Sequence, residues 1–476
     1  MKRLVVAMSV CLALVAAGCG AKGTDGASDK EDEGTETTAP DSGGAAGDFG
    51  DLEGVCGDAP DGVEVTIPDD EAGLGSDKLY LGVANDRTSD LRPGLLKEMW
   101  DASVAFAGWC NAAGGIAGKQ IELVDLDGKV LNVETAMTTA CTDVFAMVGG
   151  GFASDTLMFS GKDGSDFHKC KLIAIPGFAV STDFADANGQ QQAIPNPGYT
   201  KPNSWFRDLV KLYPEAMANV AVVYGELPSI RINKDQLVAT GKTVEGVNWT
   251  DEIAYPVLGP NFDVTVQQVK SSGAEAIAFI GEPDNLSIFM QKLRQQDYDG
   301  LVFAETNHYD PQIFSAGAGS AEGLVIRTAF HPFEEADKWP ATKQMLDIFD
   351  QYGPADKKVA GLSIQSFTSW LLFATAANKC VEDNDGAISR KCVLEQASSV
   401  DEWTGGGLHA PSFPSKDEGP VCHVLVQATA QDTWKRLFPE IGSADADKEG
   451  FSCYPDGNVK ITGDLGTGKV DPSRDL

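Results

Sequence analysis

Short, nearly continuous apolar runs punctuate the chain. Those at residues 79–84, 121–126, 144–148 and 171–175 read as buried strands. Between them the apolar positions change to helical spacing. Leu95, Leu96, Met99, Val104 and Phe106 form one such set, and residues 132–142 carry another. A second series begins at residue 220. Strand-like runs at 220–224, 252–257, 276–280, 301–304 and 323–328 alternate with helical patterns at 233–243, 262–271 and 286–295. In the last helix Ile288, Phe289 and Leu293 share a face. Two longer helical stretches follow, at 340–352 and 362–379. Apolar strands separated by helices predict parallel sheets covered on both faces. The segment 190–201, rich in Pro, Gly and Gln, reads as a crossover between the two series. The expected fold class is α/β, with two doubly wound parallel-sheet lobes. A cleft should lie between them, near the carboxyl ends of the strands.

The beginning of the chain has a different character. Met1-Lys2-Arg3 precedes a 14-residue apolar run that ends in Val15-Ala16-Ala17-Gly18-Cys19. A secretory signal has this layout, and the run is shorter than the ~20 residues a membrane span needs. The ending resembles a bacterial lipobox, with Ala16 where Leu is usual. That resemblance implies that Cys19 becomes the first mature residue and carries a diacylglyceryl group. Ordinary signal cleavage is the alternative. From residue 20 to about 50 the chain is Gly, Ala, Ser, Thr, Asp and Glu with one Phe, a composition that reads as a flexible tether.

Charge and cysteine content narrow the function classes. Acidic side chains number 70 against 37 basic ones in 476 residues, for a formal charge of −33. Such a balance excludes a phosphate-binding face for nucleic acid and attachment to anionic lipid by charge alone. Residues 20–50 carry −6 and residues 51–78 carry −8, so much of the charge precedes the first strand. Cys11 leaves with the signal and Cys19 is the lipidation candidate. The other eight are even in number, as expected for disulfides outside the cytoplasm. Topology places Cys141 and Cys170 at the same end of the first-lobe sheet. Nearness pairs Cys380 with Cys392 and Cys422 with Cys453, leaving Cys56 with Cys110. No C-x-x-C occurs and Cys422-His423 stands alone, so no metal site is expected.

Several motifs then converge in order. Asn111-Ala-Ala-Gly-Gly-Ile-Ala-Gly-Lys119 follows the first helix, and its glycines let the chain turn into the next strand. It resembles the N-x-x-GGI-x-G-[RK] signature of type I periplasmic binding proteins, the leucine/isoleucine/valine-binding-like receptors of ABC importers. Val148-Gly149 with Ser154 and Thr156 resembles that family's first ligand loop, and Ile175-Pro176-Gly177-Phe178-Ala179 its second. Pro260-Asn261-Phe262-Asp263 and Ser320-Ala-Glu-Gly-Leu324 resemble two further family segments. The likeness runs from about Leu79 to Pro439. It implies two lobes joined by a multi-strand hinge. The implied divisions are a signal at 1–19, tether and extension at 20–78, first lobe at 79–200 and second lobe at 201–330. Residues 331–400 would return to the first lobe and 401–476 towards the second.

The resemblance also implies site residues. Ser154, Thr156, Gly177, Phe178 and Ala179 would hold a ligand carboxylate at helix N-termini, which favour anions. Ala179 stands where the family has a hydroxyl, with Ser181 and Thr182 close by. Ser229 and Glu282 fall at aromatic positions of the family. Glu305, or Thr306 in an ungapped match, falls where an acid pairs with the ligand ammonium. Asn85 and Asp86, ending the first strand, are further cleft candidates. These departures open the ligand to small polar solutes other than a branched-chain amino acid.

Signs of catalysis are weak. Gly149-x-Gly151-x-x-Ser154 follows the third strand, not the first as a dinucleotide loop requires. Gly241-Lys242-Thr243 lacks the upstream Gly of a P-loop and reads as a helix end. The five histidines are scattered, and His308 reads as a solvated loop residue that could reach the cleft. The expected function is that of an extracytoplasmic, lipid-anchored solute-binding protein of an ABC importer, not an enzyme, without cofactor or metal. Its partners would be a small polar or amino-acid-like solute, permease subunits, and the membrane through the Cys19 lipid. A sensing receptor of the same fold and a secreted enzyme are the alternatives.

Overall fold

The computed structural model describes residues 46–155 and 170–465. The first series of runs forms β1 (Leu79–Asn85), β2 (Ile121–Asp127), β3 (Ala146–Val148) and β4 (Ile173–Ile175), a parallel sheet in the order β2-β1-β3-β4. Side chains alternate across a strand, and both faces here are apolar. Leu79, Leu81 and Val83 join one buried cluster with Phe106, Trp370 and Phe373. Ala84, Met147 and Ala174 join another with Met137 and Ala140. Helix α1 (Lys97–Ala112) lies on the first side, and α2 (Val133–Asp143) on the second.

The second sheet repeats this plan. Its strands are β6 (Val220–Gly225), β7 (Trp249–Tyr255), β8 (Ala276–Ile280), β9 (Leu301–Ala304) and β10 (Val325–Thr328). They run parallel in the order β7-β6-β8-β9-β10. Helices α3 (Ser204–Leu212) and α4 (Pro228–Gly241) cover one face through Trp205, Phe206, Leu209 and Val238. Helices α5 (Phe262–Ser272) and α6 (Pro283–Gln295) cover the other through Phe262, Val266, Leu286 and Phe289. Capping sets the limits of α5. The Asn261 side chain accepts from Val264 N, and Gly273 ends the helix at φ 71°. Gly241 is the last residue of α4, so Gly241-Lys242-Thr243 is indeed a helix end. That helix begins earlier than its apolar spacing indicated, at Pro228, whose fixed φ suits a first turn.

The chain then turns back. Helices α7 (Pro340–Tyr352), α8 (Gly361–Asp383) and α9 (Arg390–Ser398) follow β10, and all three pack in the first lobe. Phe106 of α1 stacks on Trp370 of α8 at 5.4 Å. Two antiparallel strands, β11 (Cys422–Ala428) and β12 (Trp434–Phe438), extend the second sheet beyond β10. The lobes are thus linked by three segments, between β4 and β6, between β10 and α7, and between α9 and β11. Beside the first link, β5 (Thr200–Pro202) pairs with β14 (Asn458–Lys460), and β13 (Ser452–Cys453) pairs with β11. No helix among the described residues is long and apolar enough to cross a membrane.

Disulfides join Cys56 to Cys110, Cys141 to Cys170, Cys380 to Cys392, and Cys422 to Cys453. Cys422, Asp447 and Cys453 have metal-ligand spacing, but both sulfurs are engaged in one disulfide. The tether reading needs a correction at its distal end. Phe49 is fully buried, 5.1 Å from the Phe367 ring and 6.1 Å from the Trp109 ring. Burying this aromatic side chain removes a large apolar area from water, and the Cys56–Cys110 disulfide ties the same segment to α1. Thr66 then hydrogen-bonds across to Gly386 and Ile388.

Phe49→Ala should therefore cost about 3–5 kcal/mol, the usual loss for a buried aromatic. Chemical unfolding with the disulfides intact measures it. A loss below about 1 kcal/mol would mean that this segment is not part of the core.

Candidate ligand-binding cleft

Parallel strands place all their carboxyl ends on one edge of a sheet. Here the two such edges face each other across a cavity of about 280 Å³. That volume is close to the ~300 Å³ lower bound of small-ligand clefts. From the first lobe it is lined by Ala153 after β3 and by Phe178, Ala179 and Val180 after β4. From the second it is lined by Leu227, Ser229 and Ile230 after β6, residues 280–283 at the end of β8, and Glu305 to Asn307 after β9.

The sequence-derived site residues divide accordingly. Phe178, Ala179, Ser229, Glu282 and Glu305 all line the cavity, as does Thr306. Asn85, Ser154 and Gly177 do not, and Thr156 lies outside the described residues, as do Cys19 and His168. Asn85 is fully buried within its own lobe. Its amide donates to Val83 O and Asp125 Oδ1, and its oxygen accepts from Arg87. Asp86 is also withdrawn, accepting from Val130 N at 2.6 Å and Ala153 N at 2.8 Å. Ser154 is solvent-exposed. A Cβ on Gly177 would stand 2.5 Å from Gly149 O and 2.9 Å from Ser366 Cα, so a glycine lets the loop after β4 pack closely on α8. The Ser181 hydroxyl caps Phe184 N, and Thr182 donates to Leu465 O, so neither substitutes for the missing hydroxyl at Ala179. Thr306 donates to Arg327 O.

His308 is not a solvated loop residue. It is buried edge-on to Phe279 at 5.7 Å, and burial pushes its imidazole down to about 4, which keeps it neutral. The sequence reading also passed over Asp155. Its buried carboxyl accepts from Val180 N at 2.6 Å and Ser181 N at 2.9 Å, tying the loop after β3 to the loop after β4. Burial raises it to about 7.

Charge is arranged across the cleft. Arg92, after β1, pairs with Asp284 at the start of α6. Lys358, before α8, lies 2.9 Å from Glu98 on α1 and 2.6 Å from Asp310 beyond β9. Of these three pairs, Arg92–Asp284 and Lys358–Asp310 span the two lobes. Buried charges persist only when paired or hydrogen-bonded. Glu282 is different. It is half-buried at the cavity wall, makes no side-chain hydrogen bond or ion pair among the described residues, and is raised to about 7 by desolvation, with Arg92 opposing. Glu305, expected to be the free carboxylate, instead lies 3.4 Å from Arg327. No spacing pattern marked Arg327, Lys358 or Lys201 as cleft residues. Each is a single cation whose position depends on the meeting of two lobes.

The profile of a family described as periplasmic binding protein matches residues 78–432. The chain belongs to the periplasmic binding protein family. No curated protein matches it. A fatty acid ABC transporter substrate-binding protein from Thermomonospora curvata aligns at 16% identity and TM-score 0.63, covering 81% of this chain and 97% of the other. A branched-chain amino acid transporter substrate-binding protein from Streptococcus pneumoniae, in complex with isoleucine, aligns at 17% and 0.59, covering 76% and 100%. A solute-binding protein of an ABC transporter from Rhodopseudomonas palustris, in complex with 3,4-dihydroxybenzoic acid, aligns at 13% and 0.60, covering 76% and 96%. At these identities the likeness shows a shared fold, and the three named ligand chemistries differ. The binding protein's own cleft must define its solute.

Glu282 yields a pH test. A carboxyl raised from 4.5 to about 7 binds more protons folded than unfolded, so its contribution to stability falls as pH rises through that window. Glu282→Gln removes this loss. The melting temperature of the variant should match the wild type near pH 4 and exceed it increasingly towards pH 8. A difference that does not change with pH would contradict the assignment.

Proposed function

We propose that this binding protein captures a small polar or amino-acid-like solute between its lobes and delivers it unchanged to the permease of an ABC importer. The observation that carries this reading is the cleft itself. It lies where two carboxyl edges meet, and it combines apolar walls with the Glu282 carboxyl, unpaired among the described residues. Three-segment links of this kind suit closure of one lobe against the other by hinge motion. Phe178 supplies an aromatic face, Ser229 a hydroxyl, and Glu282 the charge for a solute amine. Glu305 is a weaker partner for that amine, because Arg327 already attracts it.

A thermal-shift screen of amino acids, amides, polyamines and short acids tests the reading. A solute at a hundred times its dissociation constant adds about 2.7 kcal/mol to folded stability and raises the melting point. Ser229→Trp should fill the cavity and lower affinity for any stabilising solute at least tenfold. Unchanged affinity would remove this cavity as the binding site.

We further propose that the mature protein is held at the outer face of the cytoplasmic membrane by lipid on Cys19, with the acidic segment after it as spacer. Cys19→Ala should move the protein from the membrane fraction to the medium or periplasm, and mass spectrometry of the wild-type N-terminal peptide should show the diacylglyceryl mass. An unmodified N-terminal peptide would refute the anchor.

A further inference from the structure

Lys201 lies on β5, where the chain enters the second lobe, and it lines the cavity although it is only 8% exposed. Its ammonium donates to Asn196 Oδ1 at 2.6 Å and reaches Asn196 O at 3.5 Å, both uncharged acceptors. It makes no ion pair among the described residues. Burial lowers it to about 8, against the pull of Glu305, Asp186 and Asp417. Those three acids are near enough to be felt, but none pairs with it. Asp186 accepts from Gly198 N, and burial raises Asp417 to about 6.

Arg327 on β10 opens onto the same cavity. Its side chain is 13% exposed and holds Glu305 only loosely, at 3.4 Å. One Nη reaches Pro420 O at 3.3 Å, and its buried Nε has no partner among the described residues. A buried cation without a counter-charge is unfavourable, and a guanidinium with free N–H groups is shaped to take a carboxylate. Lys201 is the cation without an ion pair among the described residues, Arg327 the one with a free N–H, and they lie close enough for each to act on the other.

We propose that Lys201 and Arg327 form an anion subsite that takes the carboxylate of the solute beside the second sheet. This proposal rests on the solute-binding reading and gives it a direction. The loops after β3 and β4, expected to hold the carboxylate, offer Ala179 without a hydroxyl and Ser154 outside the cavity. A singly charged anion suits the subsite. Glu98, Glu282, Glu305 and Asp310 also line the cavity and would repel the second charge of a phosphate.

The test is a thermal-shift and calorimetry panel in matched arms on the full chain. The arms are linear and aromatic monocarboxylates, amino acids, the corresponding amides, the corresponding amines, and inorganic phosphate. Stabilisers should carry a carboxylate, with no shift from the matched amides or from phosphate. Lys201→Met should weaken the best carboxylate at least tenfold without lowering the ligand-free melting point, and Lys201→Arg should restore part of the affinity. Arg327→Gln should weaken it comparably. Stabilisation only by amines, amides or phosphate would overturn the anion subsite and leave solute binding standing. So would a carboxylate whose affinity survives Lys201→Met. If no arm stabilises the protein, the solute-binding reading itself fails, and the subsite with it.

Discussion

Parallel pairing is the constraint from which the rest follows. A parallel strand cannot be reached by a tight turn, so each must be joined to the next by a longer crossover, and α1, α2, α4, α5 and α6 lie in such crossovers. Those crossovers cover both faces of each sheet and send every strand's carboxyl end to one edge. The order β2-β1-β3-β4 recurs as β7-β6-β8-β9, so each lobe has its crevice at the same topological place. The cleft is the meeting of two such edges. Much of its lining comes from loops after β3, β4, β6, β8 and β9, residues far apart in the chain.

The loops are held by buried polar contacts as well as by apolar packing. Asp86 and Asp155 each accept two backbone N–H groups and so fix the loops after β3 and β4. Gly149, at φ 70°, has no room for a Cβ, which would stand 2.2 Å from the Trp370 indole nitrogen. Residues that look like ligand groups by position are thus engaged in shaping the pocket. Across the cleft, Lys358 between Glu98 and Asp310 and Arg92 beside Asp284 hold the lobes together through charge. Such pairs cost desolvation when they form, which offsets part of their attraction.

The overall acidity has little bearing on the cleft. Much of the excess negative charge lies before β1, and the cleft itself contains cations in an order that net charge does not reveal. Lys201 and Arg327 line its wall, as does Glu282. A solute experiences those local charges at close range, where the surrounding protein screens them less than solvent would.

The alternation of apolar strands and helical spacing specified both sheets and most helices, because core burial imposes periods that survive in any single stretch of chain. Helix Pro340–Tyr352 falls where its pattern placed it. The antiparallel strands Cys422–Ala428 and Trp434–Phe438 were not legible, since the first is placed by pairing with β10, about a hundred residues earlier, and the second pairs only with the first. The site was legible in part. Loops after strands could be located, so Phe178, Ala179, Ser229, Glu282 and Glu305 could be named. Which side chains in those loops face the cleft could not. Asn85 turns inward to Asp125, Gly177 packs on α8, and Glu305 leans to Arg327. Sequence alone determined the periods, the capping residues and the family motifs, which are local. Only the tertiary structure decided where each charge finds its partner, because that depends on two lobes built from separate parts of the chain.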